Sequence, residues 1–296
     1  MEYKYQGVCP VINLPFREDG SVDFEDMSKE IELLISNGIK SICLFAFNTE
    51  PHKLTWDEKK ETIVKFLQIV NRRTDTIIGI VENSITGGKE LAKLSEDNGA
   101  DGIILYPPSL STPSGEALLG YFKSIADSVK MDVMIQDNPR STGVNMTTEF
   151  IIRAFNEIPN FNYIKVECPI PVRKMKQLIA ATDGKLKCYS GNGGIHAVNA
   201  FLSGAWGIMP GAVTASYFNK MYHLLGENKT DEARSLFEKI LPLVWFEDQS
   251  LEFYISCEKE LLKHEGIFKA TKCREPFTGL TEDDRKELFA LYKRLY

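Results

Sequence analysis

Residues 41–81 read SICLFAFNTEPHKLTWDEKKETIVKFLQIVNRRTDTIIGIV. Residues 41–46 form a short apolar run rich in strand-forming side chains, and residues 76–81 form another. Between them, residues 57–70 place apolar side chains at helical spacing and are closed by Asn71, a residue that tolerates the left-handed turn ending a helix. Strand, helix, strand within about 40 residues is the signature of a βαβ unit, whose two strands run parallel.

Working outward, the same alternation fills the first 215 residues. Strand-like runs occur at 8–14, 41–46, 76–81, 102–106, 132–137, 162–167, 187–190 and 207–209. Helical patterns lie between them, as at 23–37, where Phe24, Met27, Ile31, Leu34 and Ile35 share a face and Gly38 ends the pattern. Eight units of about 27 residues match a (β/α)8 TIM barrel, an α/β fold. A doubly wound open sheet is the alternative, but no strand is followed by a G-x-G-x-x-G turn with an acidic residue downstream. Past the eighth run the pattern turns helical, at 214–225, 230–244, 251–264 and 282–296. The expected organisation is therefore a catalytic barrel over residues 1–225, with a helical extension over 226–296 packed on it.

Composition narrows the function. Of 296 residues, 43% are hydrophobic and 26% charged, the balance of a chain that folds. A net charge of −6 without a basic tract argues against nucleic acid as a partner. The longest apolar runs are too short for a membrane span, and the first 16 residues lack a signal-peptide core. Six dispersed cysteines without C-x-x-C spacing read as reduced thiols, which points to the cytoplasm. The four histidines show no metal-ligand spacing, so neither a metal nor a cofactor is expected.

In such a barrel, chemistry sits at the C-terminal ends of the strands. The sixth run ends Tyr163-Ile164-Lys165-Val166-Glu167. Alternation along a strand puts Lys165 and Glu167 on one side, the interior if Ile164 and Val166 face the helices. A lysine among apolar neighbours loses hydration, which favours a neutral amine able to attack a ketone; a structural ion pair with Glu167 is the plainer reading of the same residues. Other strand ends add polar groups: Asn48 and Thr49 after the second, Gln136 in the fifth, Asn192 and Gly193 in a glycine-rich turn after the seventh. The backbone N–H groups of that turn could hold an anion. With Met209 at the end of the eighth run, these six form the expected substrate-binding set.

The segments Pro10-Val11-Ile12-Asn13-Leu14-Pro15-Phe16, Asp19-Gly20-Ser21-Val22-Asp23, Asp137-x-Pro139-x-x-Thr142-Gly143-Val144, Ile164-Lys165 and Tyr189-Ser190-Gly191 resemble, in this order, the dihydrodipicolinate synthase and N-acetylneuraminate lyase superfamily. The resemblance spans nearly the whole chain. It implies a (β/α)8 barrel in which Lys165 forms a Schiff base with a small 2-keto acid, and a homo-oligomer, dimer or tetramer. The aromatic residues Tyr106 and Tyr121 lend that assembly faint support.

The departures carry as much meaning. The family's usual Gly-Thr-Thr-Gly-Glu is Ala46-Phe47-Asn48-Thr49-Glu50, its strand-five tyrosine is Gln136, the tyrosine lent by a neighbouring subunit falls within Pro107-Pro108-Ser109, and the synthase arginine is Ser141, with Arg140 one position away. The synthase proton relay is missing, and glutamine cannot replace it. Gly207-Ile208-Met209-Pro210-Gly211, Ile164-Lys165-Val166-Glu167-x-Pro169 and the tail segments Leu241-Pro242-Leu243 and Glu265-Gly266-Ile267-Phe268-Lys269 are similar instead to the branch of 2-keto-3-deoxy sugar acid dehydratases that includes L-2-keto-3-deoxyarabonate dehydratase. That branch implies dehydration with Lys165 as nucleophile and Glu167 as acid/base. A retro-aldol lyase begins from the same imine, a synthase-type condensation with pyruvate is a further alternative, and a non-catalytic 2-keto acid sensor would need no buried nucleophile.

Overall fold

The computed structural model describes residues 3–296. Eight parallel strands run around a barrel: β1 Gly7–Val8, β2 Ser41–Leu44, β3 Asp75–Ile80, β4 Gly102–Leu105, β5 Asp132–Asp137, β6 Phe161–Val166, β7 Lys187–Ser190 and β8 Gly207–Ile208. Each pairs with its neighbour in the order β1-β8-β7-β6-β5-β4-β3-β2. The ring closes between β1 and β2 through a parallel bridge of Val11 with Cys43, where Ile12 N donates to Cys43 O at 3.0 Å and Cys43 N to Pro10 O at 2.9 Å. The expected (β/α)8 architecture is the one that forms.

Four strands, β1, β2, β4 and β8, are shorter than their apolar runs. β1 spans Gly7–Val8 rather than 8–14, because Pro10 has no N–H to give the ladder; β8 stops at Ile208, two residues before Pro210. β2 ends at Leu44 because Phe45 takes a left-handed conformation, φ 64°. That kink presses the Phe45 carbonyl against β3, where only Gly79 fits: a Cβ there would overlap it.

The helices on the outside are α1 Phe24–Ser36, α2 Trp56–Val70, α3 Ile85–Asp97, α4 Gly115–Ala126, the single turn α5 Pro139–Thr142, α6 Thr148–Glu157, α7 Pro171–Ala181 and α8 Ala197–Leu202. Their caps follow from sequence: Asp23 accepts from Glu25 N and Asp26 N at the start of α1, and Thr55 with Glu58 forms a capping box on α2. Ile42, Leu44, Ile78, Ile80, Ile164 and Val166 point outward into the layer shared with these helices. The inward positions, including Cys43, Ile77, Ile104, Met134, Tyr163 and Tyr189, fill the barrel. Tyr5 seals the end opposite the mouth: its ring lies 5.1 Å from that of Tyr163, and Tyr189 donates its hydroxyl to the Tyr5 carbonyl.

The tail is helical, with α9 Ala215–Gly226, α10 Thr230–Glu247, α11 Leu251–His264 and α12 Glu282–Tyr292. The last helix ends at Tyr292 and continues as a tighter turn, Lys293–Leu295. Leu243, Leu261, Leu262, Leu288 and Phe268 form a second core under it. α11 crosses the barrel rim. Glu258 on it meets Val213 after β8 and Asn13 after β1, and Lys259 pairs with Glu50 after β2 at 2.7 Å. Tyr106 and Tyr121, read from sequence as aromatic residues near an interface, are both buried within the chain; Tyr121 donates its hydroxyl to Glu82 O at 2.7 Å.

Candidate active site

Lys165 projects from β6 into the mouth, and its Nζ lies 3.3 Å from Glu167 Oε1. Ile164 and Val166 face the helices, so the strand period alone brings lysine and carboxylate together. Only 5% of Lys165 is exposed.

The Glu167 carboxylate is gripped on all sides. Asn192 N donates to Oε1 at 2.7 Å, and Asn138 Nδ2 donates to Oε2 at 2.7 Å. Gln136 also donates its side-chain amide to Oε2. Asn138 is oriented by its own role, because its Oδ1 caps α5 by accepting from Ser141 N at 3.0 Å. Gly191 is required by close approach: a Cβ there would occupy the position of the Glu167 carboxylate. The glycine-rich turn thus does offer an N–H to an anion, but the anion is a side chain of the protein.

Above the pair lies a cavity of about 110 Å³, open at the mouth. Asn48, Gln136, Asn192, Gly193 and Met209 all line it, as do Lys165 and Glu167. Thr49 does not. It is fully buried, and its hydroxyl donates to Ala46 O at 2.6 Å, bracing the turn Phe47–Thr49 instead of facing the space. Gln136 is buried and leaves Oε1 without a partner.

The wall also holds residues that local sequence patterns did not single out as binding groups. Arg140 after β5 donates to Asp248 Oδ2 at 3.1 Å and to the Asp248 and Gln249 carbonyls, tying the β5 loop to the connection between α10 and α11. Ser250 and Tyr254 enter from α11 and its cap. Burial, followed by the charge of Glu258, raises the Tyr254 phenol well above its ordinary range, so it stays protonated. Nothing near Tyr254 in sequence betrays this placement, which depends on how α11 lies across the rim. Behind β5, Lys174 pairs with Asp137 at 2.6 Å; burial is the largest influence on that carboxyl and raises it.

Among the described residues, no group of three or more His, Cys, Asp or Glu side chains is arranged to hold a metal ion, and all six cysteines are free and buried. No helix among them is long and apolar enough to cross a membrane.

A (β/α)8 barrel with a buried lysine and carboxylate at its C-terminal mouth and a helical tail forming one wall is the class that fold and site define. The dihydrodipicolinate synthetase family model matches residues 4–295, and the chain belongs to this family of lyases. It is 31% identical over 241 residues to a 4-hydroxy-tetrahydrodipicolinate synthase of Methanococcus vannielii, covering 81% of this chain and 82% of that enzyme. It is 24% identical over 297 residues to the L-2-keto-3-deoxyarabonate dehydratase of Azospirillum brasilense, covering 99% of this chain and 95% of that one. The crystal structure of dihydrodipicolinate synthase from Rhodopseudomonas palustris superposes with a TM-score of 0.92 at 25% identity, over 98% of this chain and 97% of that one.

Proposed function

We propose that this protein is a Schiff-base lyase that removes water from a small 2-keto-3-deoxy sugar acid such as 2-keto-3-deoxyarabonate. The observation that carries the reading is the Lys165–Glu167 pair, with Gln136 holding the carboxylate at the strand-five position where the synthases carry a tyrosine. The dehydratase of Azospirillum brasilense aligns with this chain from end to end, tail included.

The Lys165 amine attacks C2 of the keto acid and the C2 oxygen leaves as water, with Asn48 on the opposite wall taking the substrate carboxylate. The resulting iminium acidifies C3. Glu167 removes a C3 proton, giving an enamine, and the C4 hydroxyl leaves as water; hydrolysis of the imine then frees Lys165. Gln136, Asn192, Gly193 and Met209 shape the space around these atoms. Condensation with pyruvate, the reaction of the synthases it resembles at higher identity over a shorter span, is disfavoured by Gln136, Ser109 and Ser141 in place of their relay and anion-binding groups. A retro-aldol outcome would demand a base on the C4 hydroxyl rather than an acid.

Borohydride reduction in the presence of pyruvate or 2-keto-3-deoxyarabonate is expected to fix a covalent adduct on Lys165, located by peptide mass spectrometry. Absence of an adduct with either acid, or labelling at another lysine, overturns the reading. We further propose a cytoplasmic homo-oligomer, a dimer or tetramer, supported by the exposed apolar side chains Leu110, Ile170, Leu202 and Trp245. Sedimentation at micromolar concentration checks this, and a monomer would refute it.

A further inference from the structure

Dehydration moves two protons at neighbouring carbons, one off C3 and one onto the departing C4 oxygen. Glu167 already satisfies Lys165, Gln136, Asn138 and the Asn192 N–H, which holds it facing the imine. A second polar group stands beside it. The ring edge of Tyr254 flanks Gly193, where an added Cβ would lie 3.6 Å from Cε2, one residue from the N–H that holds Glu167. Its hydroxyl lies over Gly211, where a Cβ would collide with both Tyr254 Oη and Glu258 Oε1. The two oxygens therefore face one space, which only a glycine keeps open.

Glu258 is fully buried. Its Oε2 accepts from Asn13 Nδ2 at 3.2 Å and Val213 N at 3.3 Å, while Oε1, on the Tyr254 side, has no partner. An unpartnered buried carboxyl oxygen behind a cavity-lining phenol is a costly arrangement for packing alone.

We propose that Tyr254 is the acid of the water-losing step, donating its proton to the C4 hydroxyl as that group leaves, with Glu258 behind it renewing the proton. This rests on the dehydratase reading above. Around the ring β2 lies opposite β6, and Asn48, Lys165, Glu167 and Tyr254 line one cavity; in this arrangement the keto acid has its carboxylate toward Asn48, C2 on Lys165, C3 at Glu167 and C4 at Tyr254. The C3–H bond breaks and its proton goes to Glu167. The enamine electrons expel the C4 oxygen, which takes the Tyr254 proton and departs as water, and the phenolate regains a proton from Glu258. No oxidant or co-reactant is needed. Burial keeps the phenol protonated and raises the Glu258 carboxyl to about 7, so both groups carry a proton on the acid side of neutrality.

Two readouts test the assignment. Exchange of the pyruvate C3 hydrogens in heavy water, followed by NMR, needs Lys165 and Glu167 but has no leaving hydroxyl; loss of water from 2-keto-3-deoxyarabonate needs the acid as well. Tyr254→Phe is expected to keep pyruvate exchange while dehydration falls by roughly 10²-fold or more. Glu258→Gln is expected to lower dehydration by a smaller factor, again sparing exchange. Dehydration at the wild-type rate in Tyr254→Phe overturns the proposal, and so does an equal loss of both reactions, which would mark Tyr254 as structural. A wild-type protein that exchanges no pyruvate hydrogen fails the Schiff-base reading instead; one that exchanges but dehydrates nothing fails the dehydratase reading.

Discussion

Lys165 Nζ and Glu167 Oε1 lie 3.3 Å apart with both side chains nearly sealed from water. A buried pair of charges is costly to desolvate, so the geometry around it has to compensate. Here β6 pairs with β7 so that Lys165 is level with Tyr189 and Val166 with Ser190, which carries the Asn192 N–H to the Glu167 carboxylate. Gln136 and Asn138 complete the compensation from β5. An iminium on Lys165 would carry the positive charge beside Glu167, so the carboxylate keeps a cationic partner through the proposed reaction.

Glu167→Gln separates the two roles of that pair. The variant is expected to retain borohydride trapping on Lys165, while turnover of 2-keto-3-deoxyarabonate falls by roughly 10²- to 10⁴-fold, the range for losing a general acid/base. Full activity in the variant would show that another group takes the C3 proton.

Gln136→Tyr restores one residue that the synthases carry. No efficient condensation of pyruvate with aspartate semialdehyde is expected from it, because Asn48, Ser109 and Ser141 still stand where that relay and its anion-binding arginine would be. Condensation by the wild-type protein at ordinary enzymatic rates would return the synthase to first place.

Incubation with EDTA is expected to leave turnover unchanged, since the iminium at C2 is the electron sink of the proposed reaction. Loss of activity restored by a divalent cation would contradict that chemistry.

How far the site could be read in advance varied with the range of the contacts. Lys165 beside Glu167 follows from a period of two along one strand, and β5 and β7 begin and end as their apolar runs do. β1 is shorter than its apolar run because Pro10 interrupts it without an N–H to donate, although its carbonyl still accepts from Cys43 N, and β8 stops one residue short of its run. Thr49 and Asn48 are adjacent polar residues, and only the turn after the Phe45 kink decides that Asn48 faces the cavity. Tyr254 was invisible: more than 40 residues separate it from its neighbours Gly193 and Gly211, and no local pattern encodes the path of α11. Tyr106 and Tyr121 misled for the opposite reason, since aromatic bulk serves a core as readily as an interface.

The attachment of α11 to the rim can be tested at Lys259, whose Nζ pairs with Glu50 Oε1 at 2.7 Å, both residues fully buried. Lys259→Met leaves Glu50 with Lys53 at 3.5 Å and the Arg274 N–H, and removing one member of a buried pair costs about 3–5 kcal/mol. Denaturant unfolding is expected to show a loss of that order, and a smaller loss when Glu50→Gln is added than the two single changes together imply. A Lys259→Met protein as stable as wild type would mean that the pair does not anchor the helix.

The last prediction concerns stability against pH and centres on Glu30. It is fully buried, and burial lifts its carboxyl from 4.5 to about 8 against two hydrogen bonds from Asn13. Between pH 4.5 and about 8 the unfolded chain releases this proton while the folded chain keeps it, so the folded state binds more protons and stability falls as pH rises through that window. Burial also displaces upward the carboxyls of Glu258, near Glu30, and Glu247, near Glu258, which adds slope of the same sign. The opposite case, Glu58, is held down to about 2 by Arg274, and it costs stability only as pH drops below the ordinary carboxylate range. Burial depresses His52 and His196, which adds slope of the opposite sign below about pH 6.5, so the Glu30 contribution is read from urea unfolding at pH 5.5 and pH 8 by comparing wild type with Glu30→Gln. Glu30→Gln keeps an acceptor for Asn13 but cannot ionise, so its stability should fall less between the two conditions. A variant with an unaltered pH slope would show that Glu30 does not hold its proton in the folded chain.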